Sequence, residues 1–200
     1  MSSSEMTSIR IINQFSDMPQ LFECIAGNEG WRYGIYPGLL GNVYPSWYIH
    51  LCGSRDLRDR SFHDNVLHAT PGLKALDDLW SLVREELAPD YGLIRAYASG
   101  HTNGQEGIPH YYSKPSDHEL VALLCLNQEW KDAWAGEIVF YDPAHECVSV
   151  RPRPGRLILF NGSIARVSRP PARECPTLCM TLSFHMRPLR FLKAAQSPGM

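Results

Sequence analysis

The sequence predicts a mainly β domain braced by N-terminal helices, of the jelly-roll or double-stranded β-helix (cupin-like) kind, and three observations predict it. From Leu93 onward the apolar period falls towards two, in short runs. Turn signals separate those runs: Asn103–Gly104, Asp142–Pro143, Pro154–Gly155 and Asn161–Gly162. The part before Leu93 carries instead a helical pattern, densest between Pro71 and Leu87. Short strands after a helical segment suggest two sheets with helices bracing one of them. Composition alone leaves other β sandwiches open.

Residues 17–27 read as a short helix, with Ser16 or Asp17 as its cap and Leu21, Phe22 and Ile25 as its apolar face. Trp31 to Leu51 is rich in Gly, Pro, Tyr and Trp and reads as irregular strands and loops. The long helix has Thr70 as N-cap and Pro71 at its first position. Leu73, Leu76, Leu79, Trp80, Val83 and Leu87 recur at three- and four-residue steps, which marks a buried face, and Pro89 ends it. Strands are expected over 93–98, 108–113, 119–126, 137–142, 146–151, 156–161, 163–168 and 178–186. No repeat or linker divides residues 1–200, so one domain is expected, with frayed ends at 1–8 and 194–200.

Bulk properties exclude several classes. Hydrophobic residues at 44% and charged residues at 20% describe an ordinary globular chain. A net charge of −2 with no basic stripe argues against nucleic acid. No apolar run approaches the ~20 residues of a membrane span, and MSSSEMTSIR lacks the apolar centre of a secretory signal, so a cytoplasmic location is expected. The six cysteines are scattered or lack a second ligand pair, which favours buried thiols over disulfides or zinc. A small-molecule substrate is the expected partner, with neither nucleic acid nor membrane, and a homodimer is possible.

Three stretches carry a family resemblance: RAYASGHTNGQEGIPHYYS, LCLNQEWKDAWAGEIVFY and RPRPGRLILFNGSIARVSRPPARECPTLCMTLSF. Over about residues 93–186 the chain resembles the Fe(II)/2-oxoglutarate oxygenases, in their prolyl-4-hydroxylase-like branch. The resemblance implies a double-stranded β-helix. It also implies an H-x-D pair and a later His that hold iron, and a late Arg that pairs with 2-oxoglutarate. Here His110 stands at the first ligand, Tyr112 at the Asp, Arg166 at the second His and Cys179 at the late Arg.

Those departures fall on the chemistry. Guanidinium offers a metal no lone pair and does not deprotonate in proteins. A +1 charge about 4 Å from a +2 ion costs on the order of 8 kcal/mol at an effective dielectric of 20. Tyr112 as a metal ligand requires a phenolate, far from its ordinary pKa. The sequence therefore points to a metal-independent enzyme with no cofactor, catalysing a non-oxidative step (cyclisation, isomerisation, dehydration or a lyase step) on a small organic substrate. Specialised metabolite biosynthesis is a natural setting. Arg166 would stabilise a carboxylate, enolate or phenolate, with His110 and Tyr112 as proton-transfer groups. Trp31, Tyr33, Trp47, His50, His101, Asn103 and Cys179 are the expected substrate contacts; Tyr36 and Tyr44 belong to the same aromatic stretch. Asp117, His118 and Glu119 read as a solvated turn. The alternatives are an Fe(II)/2-oxoglutarate oxygenase with unusual ligands and a non-catalytic metabolite-binding protein.

Overall fold

The computed structural model describes residues 9–15, 19–35, 44–56, 59–70, 72–141 and 147–194. Its elements are β1 (Arg10–Ile12), α1 (Pro19–Ala26), β2 (Arg32–Gly34), β3 (Ser46–Gly53), α2 (Asp64–Ala69), α3 (Lys74–Leu87), β4 (Tyr91–His101), β5 (Leu120–Cys125), β6 (Ile138–Tyr141), β7 (Val148–Val150), β8 (Leu157–Asn161), β9 (Ala165–Ser168), β10 (Cys179–Pro188) and α4 (Arg190–Ala194). The Ser16/Asp17 cap, Pro71, Tyr36 and the Asp142–Pro143 turn lie outside the described residues.

Among the described residues, seven strands form one antiparallel sheet in the order β1-β8-β5-β10-β4-β3-β2, and three form another, β7-β6-β9. Alternation along each strand sends residues to two different cores. Ala96, Ala98, Leu182, Phe184 and Met186 join Leu21, Ile25, Leu76, Leu79, Trp80 and Val83, so the helices cover the outer face of the large sheet. Tyr97, Val121, Leu123, Ile158 and Phe160 point the other way and meet Ile138, Phe140 and Val150 of the small sheet, together with Tyr112. That inner core is the double-stranded β-helix interior. Among the described residues no helix is long and apolar enough to cross a membrane.

Trp80 joins the helical layer to the sheet. It is buried, its indole N–H donates to Asp64 Oδ1 at 2.9 Å, and its ring meets Phe184 with centroids 5.6 Å apart. Trp80→Ala is expected to destabilise the fold by about 3–5 kcal/mol, measured as a lower urea midpoint at unchanged slope.

Several expectations are corrected. Thr70 does not cap α3; it ends α2, with Oγ1 donating to the Val66 carbonyl at 2.6 Å, and Leu73 precedes the first turn of α3. The expected strand at 108–113 is reduced to the bridge residues His110 and Tyr111, His110 pairing antiparallel with Arg166. Pro109 has no N–H to extend the ladder, and the N–H groups of Tyr112 and Ser113 both turn to the Gly162 carbonyl. The Trp31–Leu51 stretch, expected as irregular strands and loops, contains β2 and most of β3. Alternation in β3 is broken by a register shift between His50 and Cys52.

Candidate active site

Arg166 lies on β9 and is held to His110 by a reciprocal pair of backbone hydrogen bonds, 3.0 and 2.8 Å. Only 3% of it is exposed. Nη1 donates to Ser168 Oγ at 2.8 Å, the guanidinium carbon stands 5.0 Å from the Tyr112 ring centroid, and Nε has no partner. Among the described residues no carboxylate pairs with it. A buried cation without a counter-ion is costly, and an anionic ligand relieves that cost.

Two histidines face the same cleft. His110 is 5% exposed, and its Nδ1 lies 2.9 Å from the Ile108 carbonyl. A carbonyl only accepts, so Nδ1 carries the hydrogen and Nε2 is left as a bare lone pair with no partner. Burial, then the Arg166 charge, lowers the pKa of His110 to about 3. His101 bonds to the Gln105 backbone, which leaves its Nδ1 unpartnered. Burial and Arg166 lower it to about 4. Both imidazoles are therefore neutral bases beside a fixed positive charge.

Tyr97, His101, His110, Arg166 and Ser168 line this cleft together with Tyr48. The cleft has a cavity volume of about 20 Å³. One water needs roughly 10–15 Å³ by that measure. The cleft as it stands therefore admits about one water-sized group, and Tyr44 also lines it.

Tyr112 is fully buried beneath Arg166 and does not line the cleft. Its hydroxyl meets that of Tyr97 at 3.2 Å, and its ring stands edge-on to His110 at 5.7 Å and to His185 at 4.4 Å. The cleft phenol is Tyr97, which the sequence reading missed. Tyr97, Ser99 and His101 fall at two-residue steps on β4, so alternation counted back from His101 would have found it.

The other expected contacts lie elsewhere. Trp31 packs against the helical core, and its indole N–H donates to the Ile25 carbonyl at 2.7 Å. Tyr33 and Trp47 stack 5.4 Å apart at the sheet edge, 55% and 38% exposed. His50 bonds the Gly53 carbonyl at 2.8 Å, and Asn103 donates to the Pro171 carbonyl at 3.0 Å. Cys179 is buried near Gly136, and burial pushes its thiol pKa upward, which keeps it protonated. None of these six lines the cleft. Glu119 is not in a solvated turn: it is 1% exposed and bonds Arg60 at 2.8 Å. Burial outweighs Arg60 and raises its pKa to about 7.

No protein-family model matches the chain, and no curated protein does. Solved structures do. A prolyl hydroxylase from Trichoplax adhaerens, in complex with a hypoxia inducible factor oxygen degradation domain peptide fragment, is 15% identical with a TM-score of 0.64 over 96% of this chain and 88% of that one. An oxidoreductase of the 2OG-Fe(II) oxygenase family from Burkholderia pseudomallei is 12% identical with a TM-score of 0.66, over 90% and 84%. HygX from Streptomyces hygroscopicus, with nickel and 2-oxoglutarate bound, is 12% identical with a TM-score of 0.56, over 94% and 87%. The chain thus has the fold of the Fe(II)/2-oxoglutarate oxygenases, as the sequence resemblance implies.

The expectation of no cofactor is corrected by these likenesses. Among the solved chains of this fold are a prolyl hydroxylase and a 2OG-Fe(II) oxygenase, and one holds nickel with 2-oxoglutarate. The residues at the three family positions do not fit that metal as they stand. Arg166 has no lone pair to give, the Tyr112 phenol is turned to Tyr97, and His110 alone presents a bare nitrogen. Among the described residues no three His, Cys, Asp or Glu side chains converge as a metal site. The combined substitution Arg166→His with Tyr112→Asp is expected to create one. Equilibrium dialysis with Ni(II) should show at least about tenfold tighter binding than the parent, since two of three ligands are supplied. No gain would mean that the three positions do not converge.

Proposed function

We propose that the cleft is the active site of an enzyme that binds a small organic anion on Arg166 and carries out a non-oxidative proton-transfer step, of the isomerisation, cyclisation, dehydration or lyase type. The observation that carries this reading is the buried guanidinium with no carboxylate partner among the described residues, beside an imidazole nitrogen that has none among them either. Arg166 holds the oxyanion where negative charge resides or develops. His110 Nε2 takes the proton, and its Nδ1 bond to Ile108 fixes the tautomer that makes this possible. Burial and Arg166 hold His110 unprotonated across the neutral range, and a bound anion that offsets the Arg166 charge raises its basicity towards that of a working base.

Proton NMR in D2O tests this with a panel of small carboxylates and phenolates. The expected result is binding with exchange of a carbon-bound proton for deuterium, lost in His110→Ala. Binding without exchange for any member of the panel would make the chain a metabolite-binding protein. A second reading, an Fe(II)/2-oxoglutarate oxygenase with unusual ligands, is favoured by the solved relatives and by the two bare nitrogens of His101 and His110 on one cleft. Stoichiometric iron with conversion of 2-oxoglutarate to succinate would establish it in place of the first.

A further inference from the structure

We infer that the cleft holds a monatomic halide, chloride in a biological medium, as the counter-ion of Arg166, and that this halide competes with the organic anion of the proposed reaction. The competition rests on the reading above, whereas the halide site rests on the guanidinium and the cleft alone. Arg166 lines the cleft, is 3% exposed, and keeps an Nε–H with no acceptor among the described residues. Glu106 also lines the cleft, but it is exposed and makes no ion pair with Arg166. Ser168 Oγ accepts from Arg166 Nη1 at 2.8 Å, so its own hydrogen remains to be donated into the cleft that it lines. A buried charge without a partner is costly, and a water brings a dipole but no charge to offset it. Size then chooses among anions. The whole cleft measures about 20 Å³, room for about one water-sized group. A chloride ion is only slightly larger than a water. A carboxylate or phenolate brings a carbon skeleton as well, and reaches Arg166 only when side chains at the mouth move aside. The bare nitrogens of His101 and His110 give an anion no hydrogen, so the halide's contacts are to Arg166 and Ser168.

Thermal melting in sodium chloride or bromide is compared with melting in sodium gluconate, whose anion is far larger than the cleft, at one ionic strength so that screening is equal. Wild-type protein should melt about 3 °C or more higher in the halides, the rise given by a ligand at roughly ten times its Kd in a chain of this size. Arg166→Met should melt alike in both media. Ser168→Ala should need about tenfold more bromide for the same rise, the loss of one hydrogen bond to a charged group. Small carboxylates and phenolates, titrated in halide-free buffer, should bind and then lose apparent affinity as bromide is added. Equal melting of the wild type in halide and gluconate, with Arg166-dependent binding of the organic anions, would sink the halide site and leave the anion reading standing. A halide effect that survives Arg166→Met sinks the site too. Should Arg166→Met fail to fold, Ser168→Ala decides, and an unchanged bromide titration overturns the site. Halide binding that no organic anion displaces would uphold the site and overturn the proposed reaction. If neither kind of anion binds, both readings fail.

Discussion

Arg166→Met is expected to make the protein more stable while removing its affinity for small anions. The guanidinium is 3% exposed and has no carboxylate partner among the described residues. Replacing even a buried ion pair with apolar side chains of similar volume is often neutral or stabilising by about 1–4 kcal/mol, and a buried charge with no counter-ion has less attraction to lose. Losing the Ser168 hydrogen bond and the contact over Tyr112 offsets part of that gain. A net rise of about 1–2 kcal/mol corresponds to a few degrees in Tm for a chain of this size. Anion affinity should fall about 100-fold or more, since truncating one side of a buried charge pair costs several kcal/mol. Calorimetry and titration on one sample separate the two effects. A variant that melts earlier yet still binds anions would show that the charge is compensated inside the protein.

Acid is expected to destabilise the protein well above the pH at which most proteins unfold. An imidazole in the unfolded chain takes a proton near pH 6.5, whereas folded His101 and His110 resist protonation until about pH 4 and pH 3. Through that interval the unfolded state binds more protons, so stability falls as pH falls. His185 is also held neutral, by burial and by Arg95, and acts in the same direction. Glu119 opposes them. Its folded pKa of about 7 lies above its ordinary 4.5, so its contribution is fully present below pH 4.5 and is lost as pH rises to 7. His50, lowered by its burial, adds to the same side, and the histidines together outweigh one carboxyl. Unfolding free energy should therefore drop by about 3–5 kcal/mol between pH 6.5 and 4.5, at about 1.4 kcal/mol per net proton per pH unit. Urea titrations at stepped pH measure the slope, and His101→Gln should remove one proton from it. A flat profile would mean that the imidazoles are solvated.

The strands after Leu93 were legible because their inner and outer residues alternate between two apolar cores, and α3 because its apolar steps match a helix. β1 and β2 span three residues each, too few for any period to show. The site was legible only in part. His110 and Arg166 stood out because a family pattern assigns them positions, and the backbone bridge does bring them together. Tyr97 was overlooked although it sits two steps before Ser99 and four before His101. The aromatic set misled for a different reason: composition does not tell which face of a strand a ring occupies. In β3, Ser46 and Tyr48 line the cleft, while Trp47 between them faces away. Glu119 was misplaced because burial of a carboxylate depends on Arg60, a partner distant in sequence.

A crystal structure determined with 4-nitrophenolate or bromide tests the role of Arg166 most directly. The predicted result is density for the anion against the Arg166 guanidinium, within hydrogen-bonding distance and between His110 and Ser168. Arg166 directed into bulk solvent, or a transition metal coordinated at that point by His110 and Tyr112, would contradict it.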